Sequence, residues 1–234
     1  MTTIRTGIYL LIIIMIIAFT GCISWSDSDT VSINSDTPIE IGNPQMPDID
    51  ELHFFSTIEE AVEHNTMEDF PIRHIDEIIK LLESDEYAVL FFRVNMSSGN
   101  DVIYVFKFII QETNGKPYYS TPVIATIVSW EAHKLFIKRG KLDEIGEIRA
   151  GISRDSLRWF RVDEAKNFFW GLSQTERVRN LRIEGQLVTE VIEVELDGET
   201  AFFWYFEDLV TDKKPTFKDL RQYTEGEFII TMDE

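Results

Sequence analysis

The chain has 234 residues, 44% hydrophobic and 27% charged, with 41 acidic against 22 basic side chains and a formal charge of −19. Acidity on this scale excludes a nucleic-acid partner, whose binding is built from cationic contacts to phosphate, and it opposes general adhesion to an anionic surface. A single cysteine excludes an internal disulfide.

Arg5 and the amino terminus make a short positive start, followed by the uncharged run Ile8–Phe19 and then Thr20-Gly21-Cys22. A twelve-residue apolar core ending in small residues has signal-peptide geometry and is short for crossing a bilayer. Thr20-Gly21-Cys22 resembles the bacterial lipobox, although Phe19 stands where that pattern has an aliphatic residue. The resemblance implies that residues 1–21 are removed and that Cys22 carries a lipid. The partner is then the cell membrane, with the body on its extracytoplasmic side. An uncleaved anchor helix is the other use of a Gly7–Trp25 stretch without charge, and it leaves the body equally tethered. Residues 22–50 are rich in Ser, Asp, Thr and Pro and hold too little apolar side chain to offset ordering entropy. They read as a flexible acidic tether reaching roughly 30 Å.

The globular part opens at residue 51. Ser56-Thr57-Ile58-Glu59-Glu60 offers two overlapping capping boxes, so a helix is predicted over 57–64. Ile75, Ile78, Ile79 and Leu82 fit a helix or a strand. Tyr87–Val94, Val102–Ile110 and Tyr118–Trp130 are predicted to form a three-stranded meander, turned at Ser97-Ser98-Gly99-Asn100 and Asn114-Gly115. The unbroken apolar run Phe106–Ile110 implies that both faces of this sheet are partly covered. A mixed basic connector follows. Val188–Leu196 alternates wet and dry, Asp197-Gly198 is a two-residue hairpin signal, and Glu199–Phe206 is the returning strand. Thr216 caps a predicted short helix, Phe217–Tyr223, ahead of a last strand, Glu227–Met232.

The predicted class is α+β, mainly antiparallel β-sheet in hairpins and meanders, with a short N-terminal and a short C-terminal helix. Residues 51–140 make a first unit, and 141–234 make the basic connector and a second β unit, with one domain as the alternative. Phe55–Val62 followed by glycine-turned hairpins resembles small uncharacterised lipoproteins of Gram-positive bacteria. That resemblance brings no activity and no catalytic residues.

No catalytic residue, metal ligand set or cofactor is predicted. His53, His64, His74 and His133 lack ligand spacing, and Cys22 is consumed by lipid. His64 and Glu60 stand four apart, which suits a charge pair better than a metal. No Gly-x-Ser-x-Gly elbow is present, and 41 carboxylates make any one acidic pair uninformative.

Charge is unevenly placed. Twelve of the 22 basic residues fall between Lys134 and Arg182 with seven acidic ones, a local balance of +5 against −24 for the rest. Arg154, Arg158, Trp159, Phe160, Arg161, Lys166, Trp170, Arg177, Arg179 and Arg182 form the candidate binding patch. It would suit an anionic partner such as an acidic protein face, a wall polymer or lipid headgroups. The plainer use of these residues is to neutralise the chain's own acidic surface, with the aromatics in the core. An interface there needs several of Trp159, Phe160, Phe169 and Trp170 exposed together. The leading expectation is a non-enzymatic surface binding module. The alternatives are a solute-binding lipoprotein, which calls for two α/β lobes, and a cell-wall enzyme, which calls for a pocket with converging reactive groups.

Overall fold

The computed structural model describes residues 52–155, 160, 162–163, 166–211 and 228–232. Antiparallel β-sheet dominates it, for reasons that begin with alternation along two strands, β3 (Tyr87–Asn95) and β4 (Asp101–Thr113). Val89 and Phe91 of β3 face the same core as Ile103 and Val105 of β4. Their neighbours Leu90, Phe92, Tyr104, Phe106 and Phe108 face a different one. Successive side chains point to opposite sides of a pleated strand, so a sheet covered on both faces needs apolar residues at every position.

Around this pair the first sheet grows. β2 (Glu77–Glu83), the segment whose periodicity fitted helix or strand, is a strand paired with β3 and bulged between Ile78 and Lys80. The predicted third strand over 118–130 divides in two. β5 (Lys116–Ser120) follows the Asn114-Gly115 turn and also pairs with β1 (Phe54–Phe55), while β6 (Ile124–Ser129) returns to β4. Across Thr121-Pro122-Val123 the register against β4 shifts by two residues, from Ile110↔Tyr119 to Lys107↔Ile124. Helix α1 (Ile58–Glu63) packs Ile58, Ala61 and Val62 onto the outer face of this sheet. Thr57 Oγ1 accepts from Glu60 N, and the Glu60 carboxylate accepts from Ser56 N and Oγ.

The expected basic connector contains two helices, a correction to the sequence reading. Trp130 does not end a strand but starts α2 (Trp130–Gly140), because Ser129 Oγ accepts from Ala132 N at 3.3 Å and caps it. Lys141 closes the helix in the left-handed region at φ 50°, and α3 (Glu144–Asp155) follows.

The second sheet has the order β10 (Glu190–Leu196), β11 (Glu199–Phe206), β7 (Phe169–Ser173). Asp197 and Gly198 both have positive φ, 55° and 74°, as a tight hairpin turn requires. Ala201, Phe203 and Tyr205 of β11 enter the core shared with the first sheet. Phe202, Trp204 and Phe206 enter a third core on the far side. A small third sheet of β12 (Ile230–Met232), β8 (Leu181–Ile183) and β9 (Gln186–Leu187) closes that core with Ile148 of α3. At Gly171 a Cβ would come within 2.5 Å of the Trp204 ring, so the β7–β11 contact requires glycine. The two predicted β units thus share one core, and Met46–Glu234 is one compact unit. The predicted helix at 217–223 lies outside the described residues.

Polar locks join the sheets. Asp101 N donates to Asp197 Oδ1 at 2.6 Å, and Asp197 N donates back to Asp101 Oδ2 at 2.8 Å. These bonds tie the β3–β4 turn to the β10–β11 turn. Further along, Lys80 Nζ and Tyr205 OH both donate to Glu190, at 2.7 and 2.6 Å.

Candidate functional site

Helix α2 buries Trp130 and His133, three residues apart on one face. The imidazole stacks on the indole with ring centroids 5.4 Å apart and 11° between planes. From α3, Glu147 reaches the same place, with its Oε1 2.7 Å from His133 Nε2. β7 adds Ser173, whose Oγ donates to Glu147 Oε2 at 3.2 Å, and Gln174 N donates to Oε1 at 3.2 Å. The His133 and Glu147 side chains are only 2% and 4% exposed. A carboxylate that collects three donors in a dry place is well satisfied. His133 Nδ1 has no hydrogen-bond partner among the described residues.

The order of these groups decides their chemistry. A serine is activated when its hydroxyl meets an imidazole that a carboxylate orients. Here the carboxylate stands in the middle, so the Ser173 hydroxyl is bonded away from the imidazole. The geometry fastens α2 and α3 to β7 rather than priming a nucleophile. Sequence reasoning missed this cluster, whose one local signal is the Trp130–His133 spacing.

His64 and Glu60, weighed as a pair, are turned to other uses. His64 Nδ1 lies 2.9 Å from the Glu60 backbone oxygen, and its ring stacks on Phe55 at 4.5 Å. The Glu60 carboxylate serves Ser56.

The residues predicted for the binding patch are divided by the structure. Phe160 and Trp170 are not on the surface. They are 1% and 0% exposed in the core between the two large sheets, and Phe169 is 2% exposed in the third core. Their apolar area is removed from water on both sides of β7, which outweighs any gain from display. The cations that were to flank them are engaged. Lys166 pairs with Glu207 at 3.0 Å, and that carboxylate raises its pKa above the usual lysine value. Arg177 pairs with Glu144 and donates to Met232 O. Arg179 pairs with Glu176 and Glu193 and lies over the Phe202 ring. Arg182 donates to Gly185 O at 3.2 Å. Arg154 lies in α3, while Cys22, Arg158, Trp159 and Arg161 lie outside the described residues.

The outer face of α2 is different. Leu135 and Phe136 are 42% and 40% exposed, and Lys138, Arg139 and Lys141 are exposed beside them. Among the described residues these three cations have no ion pair, whereas Lys134 on the same helix is held by Glu199 at 2.8 Å. The Lys134 ammonium and then the Trp130 N–H lower the Glu199 pKa. Among the described residues these cations, without an ion pair and beside an exposed leucine and phenylalanine in a chain of charge −19, form a mixed cationic and apolar face. Compared with family models, curated proteins and solved structures, the chain matches none.

Proposed function

We propose that this chain is a lipoprotein, anchored through a lipid on Cys22 to the extracytoplasmic face of the cell membrane, whose body is a non-enzymatic binding module. The body is of the α+β class, with a short helix near each end. The carrying observation is the placement of the only cysteine, directly behind Ile8–Phe19 and Thr20-Gly21 and directly ahead of a Ser-, Asp- and Pro-rich spacer. A lone cysteine at that junction has an obvious use in acylation and none in a disulfide. The antiparallel sheets fit a binding module better than a two-lobed solute-binding protein, which is built from βαβ units.

Mass spectrometry of the membrane-associated chain tests the anchor. The expected species begins at Cys22 with a diacylglyceryl adduct, and Cys22→Ser leaves residues 1–21 attached and the adduct missing. A wild-type chain without lipid on Cys22 would overturn it. In-cell crosslinking tests the module, with a stoichiometric partner or lipid adduct expected on the body.

A further inference from the structure

We infer that the outer face of α2 docks onto anionic lipid headgroups and so lays the tethered body against the membrane; the inference rests on the Cys22 anchor. An α-helix brings residues three and four apart onto one face. Trp130, His133 and Ile137 form the inward face of α2, while Ala132, Leu135, Phe136 and Arg139 form the outward one. Lys138 flanks that outward face, and Lys141 continues it just past the helix end. A leucine and a phenylalanine about two-fifths exposed, with three cations beside them, are the composition of a helix that lies in a membrane interface.

Two plainer accounts of these cations fall short. Cations at a helix C-terminus complement its dipole, which explains their sign but not the exposure of Leu135 and Phe136. Solubility is the other account, but this chain has 41 carboxylates with which to stay in solution and to pair its cations. Lys80, Arg93, Lys134, Lys166, Arg177 and Arg179 are all paired. Two acidic groups that follow α2 in sequence serve other partners. Asp143 Oδ1 accepts from Gly146 N at 2.7 Å, and Glu144 is bound to Arg177.

The charge of the whole chain does not forbid this docking. At physiological salt the Debye length is about 8 Å, so a membrane phosphate responds to the charges beside it and little to those across the body. The tether confines the body near the surface, which makes a weak contact effective. Lipid is the favoured occupant because it offers phosphate and acyl chain together. A wall polymer would leave Leu135 and Phe136 unmatched.

The test uses the lipidated full chain with Ala132→Cys carrying an environment-sensitive fluorophore, reconstituted into vesicles of phosphatidylcholine with or without phosphatidylglycerol. Ala132 is exposed on the docking face. Emission is expected to shift to the blue only with phosphatidylglycerol, and to return as salt rises to 1 M. Lys138→Glu/Arg139→Glu/Lys141→Glu is expected to lower the ratio of docked to free body by roughly a hundredfold while flotation with the vesicles persists. A Gln triple variant with the wild-type melting profile separates lost charge from lost folding. Emission indifferent to phosphatidylglycerol in a chain that still floats would overturn the docking face and leave the anchor intact. If the chain fails to float with phosphatidylcholine, the anchor is wrong. Recruitment by phosphatidylglycerol alone would then still support the docking face, and its failure would overturn that too.

Discussion

Asp101 shows what single side chains contribute here. Burial works against its ionisation. The backbone N–H of Asp197, the Asn95 amide and the Arg93 guanidinium outweigh that and lower its pKa below the usual aspartate value. A carboxyl whose pKa is lower in the folded than in the unfolded chain stabilises the fold above the unfolded value, about 3.9, and loses that contribution as pH falls through the folded one. Glu190 behaves alike, held low first by Lys80 and then by Tyr205. Asp101→Asn is expected to cost about 2 kcal/mol at pH 7. The gap to wild type should narrow below pH 4 in urea melts run across the acid range. A gap of constant size would mean that the charge is not what matters.

Among the elements, α2 and α3 depend most on contacts the sequence does not advertise. His133→Phe leaves the Glu147 carboxylate buried with fewer donors, and Glu147→Leu strands the imidazole and the Ser173 hydroxyl. Each is expected to destabilise by about 2–4 kcal/mol, and His133→Phe/Glu147→Leu by clearly less than their sum. A double-mutant cycle by chemical denaturation measures this, and strict additivity would show the groups to be uncoupled. The same helices mark where legibility in the sequence ends. Asn114-Gly115 and Asp197-Gly198 announce their hairpins because few residues accept positive φ, and the double-faced apolar strands announce a covered sheet. In contrast, only Ser129 marks the change from Ile124–Ser129 to the helix at Trp130, and a lysine takes the left-handed position after α2, where a glycine would have been a signal. Glu184-Gly185 turns β8 into β9 without the usual Asn or Asp. The site was hidden for a related reason. Whether a cation is free depends on partners distant in sequence, as with Lys166 and Glu207 or Arg179 and Glu193.

Over the molecule as a whole, one core between the two large sheets implies one cooperative unit. Ile79, Val89 and Phe91 from the first sheet pack with Trp170, Leu172 and Phe203 from the second. Tryptophan fluorescence, which reports the buried Trp130, Trp170 and Trp204, should therefore share a denaturation midpoint with hydrogen exchange of the β3 and β4 amides. Separate midpoints would return the two β units to independence. The shared core also governs how the chain can be made. Synthesis from the N-terminus completes β3, β4 and β6 before β7, β10 and β11 exist. At roughly 5–20 residues per second the first sheet waits on the order of ten seconds for the second. Through that interval Val89, Phe91, Ile103 and Val105 have no lid, and the nascent protein is a sticky half-sandwich. A chain cut short near residue 140 is expected to expose that face and to aggregate, because the strands that cover it lie in the second half.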